Sequence, residues 1–283
     1  MSQEPFSRNM DEMTSREVEL FFEGGGDLVL VPFGPLSGHG AMVPIGMHAH
    51  WAHALALLVA ERANGIVHPP VFTTYAGATR TFRGTSPFSI TEQVAVLKRI
   101  ARGLRGQGFR RVVLLAATTP EYFGGIVAAR ELFDETEEPA WLLVADRLLE
   151  MPEVKGMLEG YPGRFGENLI ELASLRVLGK RSEVRFPELS RQTGRPEVDQ
   201  PAEIAEDVGE LRRMGAIGFR YHAESNHDNH GTAGLMFRGE LDIDLASRVL
   251  VRCAELVVPL LRRYSHYVEW LETNPFRFIP APQ

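Results

Sequence analysis

Arg111-Val112-Val113-Leu114-Leu115-Ala116 is the clearest buried strand in the chain. Its apolar residues follow one another without alternation, and the run is too short for a helix. A strand apolar at every position is covered on both faces, as in a parallel sheet. The segments around it follow the same logic. Upstream, Ser89 and Glu92 have capping-box spacing, and Val94, Leu97, Ile100, Ala101 and Leu104 follow at helical intervals until Gly106 and Gly108 end the helix. Downstream come a polar turn from Thr118 to Glu121, a helix near 123–134 and a strand at Trp141-Leu142-Leu143-Val144-Ala145.

A second continuous strand, Leu28-Val29-Leu30-Val31-Pro32, lies nearer the N-terminus. It is preceded by a short helix that the Thr14/Glu17 capping box opens and the glycines of 24–26 close. An alanine-rich helix over 49–64 and a short strand at Ile66-Val67, closed by Pro69-Pro70, follow. Strands alternating with helices predict an α/β fold: a mainly parallel sheet flanked by helices on both faces. Residues 147–200 are the least periodic, with a helix at 167–177 and a charged surface excursion over 180–201. Residues 202–213 read as a helix, 216–219 as a strand, 221–240 as a loop rich in His, Asn and Gly, and about 243–271 as a long closing helix. No internal repeat is present. The expected organisation is a flexible tail at 1–13, one domain over 14–275 and a C-terminal tail at 276–283.

The 283 residues are 44% hydrophobic and 24% charged, which excludes a chain disordered throughout. A net charge of −7 argues against a broad phosphate-binding surface, hence against nucleic acid as partner. No apolar run has the length of a membrane span, and no secretory signal is visible. Cys253, the single cysteine, excludes an internal disulfide or a multi-cysteine metal site and fits a reducing cytoplasm.

Seven of the nine histidines fall in two clusters. His39, His48, His50 and His53 lie in or just after the loop that leaves strand 28–32. His222, His227 and His230 share a later loop with Glu224 and Asp228. Active sites of such sheets collect in loops at the carboxyl ends of strands, so the two clusters are expected to meet in one pocket suited to metal binding or acid–base catalysis. The plainer reading stands beside it. His50 and His53 are three apart on a helix and one can simply be packed; His68 and His266 read as structural; Asn and Asp also stabilise turns. Cys253 reads as a buried helix residue. No HExxH, GxSxG or phosphate-cradling glycine loop is present.

With these segments in order, the chain resembles the creatininase (creatinine amidohydrolase) family. Leu30-Val31-Pro32-Phe33-Gly34, Gly38-His39-Gly40 and Val43-Pro44-Ile45-Gly46 are similar to the family's first motif. Pro69-Pro70, Tyr75-Ala76-Gly77 and Phe82-Arg83-Gly84-Thr85 are similar to its P-P, Y-G and F-P-G-T segments, and Gly108-Phe109 with the strand at 111–116 to its central strand. The resemblance covers 17–135 well, is faint over 136–215 and partial in the last helix. It implies a creatininase-like α/β fold, a homo-oligomer (hexamer or dimer), hydrolysis of non-peptide C–N bonds, and two divalent metals bound by Glu, His, Asp, His and Glu.

The chain departs from that ligand set. The first Glu position is Ser37, the His is kept as His39, the Asp is His48, the second His position is Thr118 and the last Glu position is Pro120, with Glu121 one step further. Two adjacent divalent ions need carboxylates to offset their repulsion, so an ordinary dinuclear centre is not expected. At most one zinc or manganese is expected, on His39, His48 and His230, or none. The leading reading is a small-molecule enzyme that hydrolyses or forms a C–N amide bond. His39, His48, His222 and Glu224 would be catalytic, and Ser37, Trp51, Tyr75, Thr118, Glu121, Tyr122 and Tyr221 would contact substrate. The alternatives are a metal-free lyase, cyclase or isomerase of a specialised biosynthetic pathway, and a non-catalytic binding or assembly homologue.

Overall fold

The structure, a computed structural model, describes residues 7–38, 42–81, 83–86, 88–159, 165–185, 210–211 and 242–275. Among these residues four strands, β1 (Leu28–Phe33), β2 (Gly65–Val67), β3 (Arg111–Ala116) and β4 (Ala140–Val144), form a sheet in the order β2-β1-β3-β4. Every pairing is parallel, with Leu28 opposite both Gly65 and Arg111, and Phe33 opposite Ala116. The continuous apolar runs are thus explained: β1 is buried at every position because both faces are covered.

Alternate residues of the strands go to opposite layers. Leu28, Leu30, Val67, Val113, Leu115 and Leu143 pack with α2 (Met47–Ala63), α7 (Phe165–Val177) and α8 (Ile243–Thr273). Val29, Val31, Ile66, Val112, Leu114 and Val144 pack with α1 (Ser15–Glu23), α3 (Ile90–Gly106) and α4 (Thr119–Thr136). Two one-turn helices, α5 (Asp146–Leu149) and α6 (Pro152–Lys155), lie between β4 and α7. In α8 the buried positions Ala246, Val249, Leu250, Cys253, Ala254, Val257, Leu261, Tyr264 and Val268 recur at intervals of one, three or four, the stripe of an amphipathic helix.

The capping boxes expected at Thr14/Glu17 and Ser89/Glu92 are both formed. Three boundaries differ from expectation. Helix α2 starts at Met47, two residues early. The segment 118–121, read as a polar turn, is the cap and first turn of α4, because Thr118 and Glu121 are themselves a capping pair. Residues 8 and 9, read as part of a loose tail, lie along the sheet edge: the Val67 amide donates to the Arg8 carbonyl at 2.8 Å, and Asn9 bridges to Val67. The helix expected at 202–213 is described only at 210–211, where it is helical; the strand at 216–219, the loop 221–240 and the C-terminal tail lie outside the described residues.

Candidate active site

Strand order places the site. From β1 the chain crosses to β2 on one side, then returns to β3 on the other, so the connections leaving β1 and β3 diverge at neighbouring strand ends. Such a switch point opens a crevice at the carboxyl edge of the sheet. The connection from β1 leads into α2 in one helical layer, and that from β3 into α4 in the other.

Gly34 sets the first helix against the sheet. A methyl group there would lie 2.6 Å from the Ala49 nitrogen and 2.7 Å from His48 Cβ, so only glycine lets the first turn of α2 sit on the end of β1. That close approach holds His48, the second residue of α2, in a buried position at 7% exposure. From the other helical layer, Glu121 in the first turn of α4 meets it, fully buried. Its Oε1 forms a short hydrogen bond with His48 Nδ1. Its Oε2 accepts from the Thr118 hydroxyl at 2.7 Å and from the Thr118 amide at 3.1 Å. The Thr118 hydroxyl also stands 3.4 Å from His48 Nδ1.

This network fixes the imidazole's tautomer. A carboxylate only accepts, and Oε2 is already committed to two Thr118 donors. A neutral ring therefore carries its proton on Nδ1, toward Oε1, and its lone pair on Nε2. A base oriented by a buried carboxylate follows the general logic of an activated acid–base pair.

The other histidines of α2 have structural surroundings. His53 Nε2 hydrogen-bonds Asn9 Oδ1 at 2.7 Å, and His50 stacks edge-on against Phe72 at 5.6 Å between centroids. Burial pushes the His50 imidazole down to about 4, helped by the positive charges of Lys180 and His53. Burial likewise lowers His53, against the opposing pull of Asp11, and lowers His68, whose Nδ1 meets the Pro69 carbonyl oxygen at 2.7 Å.

The remaining sequence candidates separate clearly. Trp51 is not a pocket wall: it is 1% exposed and packs in the core with Met42, Val43 and Met47, because it lies on the inner face of α2. Tyr122 is half-buried, with the Arg147 guanidinium 4.4 Å over its ring. Tyr75 is half-buried, and its backbone amide donates to Gln93 Oε1 at 3.0 Å. Ser37 is buried with no hydrogen-bond partner for its hydroxyl, while its amide donates to the Ile45 carbonyl at 2.8 Å. Thr118 and Glu121, expected to contact substrate, face His48 instead. His39, Tyr221, His222, Glu224, His227 and His230 lie outside the described residues, and so does the expected meeting of the two histidine loops.

The family model for creatininase, creatinine amidohydrolase, matches residues 11–156, from the residues before α1 to the end of α6. The chain belongs to the creatininase family. No curated protein matches it. Among solved structures it is similar to a creatininase variant of the Zn-Zn type, with 20% identity, a TM-score of 0.63, and coverage of 91% of this chain and 98% of that one. A manganese creatininase superposes with 21% identity and a TM-score of 0.60, over 89% and 97% of the two chains. A Bacteroides fragilis NCTC 9343 protein assigned as a creatinine amidohydrolase gives 18% identity and a TM-score of 0.67, over 91% and 96%. The creatininase fold, with its parallel sheet between helical layers, is shared with all three.

The described residues do not fit a pair of divalent metals. At the ligand positions given by the family resemblance, Ser37 and Thr118 offer neutral hydroxyls and Pro120 offers no side-chain donor. His48 Nδ1 is engaged by Glu121, which is the carboxylate nearest this cluster of positions in the chain. Among the described residues no group of three or more His, Cys, Asp or Glu side chains could hold a metal ion. No helix among them is long and apolar enough to cross a membrane.

Proposed function

We propose that this creatininase-family chain is a hydrolase of non-peptide C–N amide bonds in small molecules, with His48 and Glu121 as its acid–base pair. The carrying observation is the buried His48–Glu121 contact, with Thr118 holding the second carboxylate oxygen. In the proposed reaction, His48 Nε2 takes a proton from water as the water oxygen attacks the substrate carbonyl. The C–N bond then breaks, and the same proton passes to the departing nitrogen. Glu121 orients the ring and stabilises the imidazolium between the two steps. His39, His222 and Glu224 are proposed to complete the pocket, with Ser37 and Tyr221 as substrate contacts.

The same pair without a two-metal centre favours one second reading, a lyase, cyclase or isomerase in which His48 moves a proton between substrate atoms. One experiment separates the two. The purified protein is offered a panel of cyclic and small acyclic amides in oxygen-18 water. Hydrolysis releases an amine or ammonia and places the label in the product carboxylate; the non-hydrolytic reactions leave it unlabelled. Turnover that persists in His48→Ala would remove the proposed base.

A further inference from the structure

Gln93, in the first turn of α3, is fully buried and has both ends of its amide engaged. Its Nε2 donates to the Glu121 carbonyl oxygen at 2.7 Å, and its Oε1 accepts from the Tyr75 amide at 3.0 Å. The orientation is unique. A flipped amide would set oxygen against the Glu121 carbonyl and NH₂ against the Tyr75 N–H, leaving two buried groups unsatisfied. Gly124 makes room for it, since a methyl at that position would lie 2.5 Å from Gln93 Cδ and 2.7 Å from Nε2. Glycine there lets the amide reach the backbone of α4's first turn. Glycine is otherwise unfavourable relative to alanine in a helix interior.

We propose that Gln93 is a positioning residue, an amide clasp that ties the first turn of α4 to the segment at Tyr75 and so sets the Glu121 carboxylate against His48. The proposal rests on reading His48 and Glu121 as the reactive pair. Any buried glutamine must satisfy its amide; here the donor goes to the backbone of the residue that bears the carboxylate, and Gly124 leaves the room for it.

The test reads the pair without substrate. In uniformly nitrogen-15-labelled full-length protein, the His48 Nδ1 proton, hydrogen-bonded to Glu121, is expected as a downfield, slowly exchanging imidazole N–H, assigned by its loss in His48→Ala. Gln93→Leu removes both arms of the clasp. Gln93→Glu keeps the acceptor for Tyr75 but loses the donor to Glu121, and Gly124→Ala displaces the amide. All three are expected to move this proton upfield and to speed its exchange several-fold, with the His53 signals unchanged. An unmoved His48 proton in folded Gln93→Glu and Gly124→Ala would overturn the clasp, and these two variants decide if Gln93→Leu fails to fold. Where an amide substrate is found, kcat should fall with KM held. A shifted proton without any amide hydrolysis would sink the functional reading and leave the clasp standing. An unshifted proton with hydrolysis intact would do the reverse.

Discussion

Glu121, in the first turn of α4, places Oε1 on the Nδ1 of His48, in the first turn of α2 and 73 positions earlier in the chain. The two helices belong to opposite layers of the molecule, so the contact spans the carboxyl edge of the sheet at the β1/β3 boundary. Each partner arrives from a helix start seated on the end of its own strand, and this makes the distance between them a property of the sheet.

Glu121→Gln is expected to cost more in rate than its small change in shape would imply. The amide oxygen can keep the Thr118 donors, but the NH₂ then faces Nδ1 and forces that nitrogen to accept. The ring proton moves to Nε2, and the base becomes a donor. A fall in kcat of about 10²–10⁴, the usual range for a general acid–base group, is expected. Steady-state kinetics on any hydrolysed amide checks it, and an unchanged kcat would remove Glu121 from the chemistry.

Substituting the neighbouring histidines should separate catalytic from structural roles. His48→Ala is expected to lower the rate tenfold or more. His53→Ala should leave the rate intact while removing the Asn9 hydrogen bond, worth about 1 kcal/mol of stability. Thermal unfolding and kinetics on both variants check this, and equal rate losses would merge the two roles.

The sheet was legible because its strands announce themselves. Leu28–Val31 and Val112–Ala116 are apolar at every position, which only a doubly covered strand tolerates. The site was legible in part. His48 stands out in the sequence as a changed ligand position, but its partner Glu121 reads there as a substrate contact. The signal that carries the pair is the spacing of Thr118 and Glu121, the same as that of the capping pairs Thr14/Glu17 and Ser89/Glu92. Pro120 between them and the lack of apolar periodicity before Phe123 masked the helix start. Gln93 gave no signal at all: a glutamine one residue before Val94 reads as the solvent side of an amphipathic helix, and only the tertiary approach of Gly124 buries it.

Gly34→Ala should destabilise the fold and the pair together. The added methyl meets backbone and Cβ atoms of α2 at 2.6–2.8 Å, and neither can swing aside as a flexible side chain could. Overpacking of this kind costs about 1–3 kcal/mol. A lowered Tm together with a shifted His48 imidazole signal is expected; a wild-type Tm would show that α2 is free to move off β1.

Acid should weaken the fold before the carboxylates titrate. His50, His53 and His68 are all held below the ordinary histidine range by burial, His50 down to about 4. In the unfolded chain the same rings take up protons near the ordinary value of about 6.5. Between these values the unfolded state binds more protons, so stability is full above about 6.5 and is lost as pH falls toward about 4. Tm measured from pH 8 to pH 5 should decline, and His50→Gln should flatten the decline. A Tm that rises on acidification would contradict it.

Metal analysis of the purified protein is expected to give fewer than two divalent ions per chain. Two ions a few ångströms apart repel strongly, and bridging or terminal carboxylates normally offset that repulsion. Here Ser37 and Thr118 are neutral, Pro120 is inert, and Glu121 spends one oxygen on His48 and the other on Thr118. Freeing Glu121 for a metal would strip three hydrogen bonds from a fully buried carboxylate. A single zinc or manganese on His39, His48 and His230 asks less of the site, since it needs only the lone pair of His48 Nε2 and leaves the Glu121 contact in place. Elemental analysis of the wild type beside His48→Ala and Glu121→Gln distinguishes these cases. Up to one ion per chain, lost in His48→Ala and weakened in Glu121→Gln, where the ring proton occupies Nε2, would place it on Nε2 and make His48 a ligand in place of the proposed base. Two ions per chain in the wild type, falling in Glu121→Gln, would mean that the carboxylate binds metal and that its hydrogen bond to His48 is not the working arrangement.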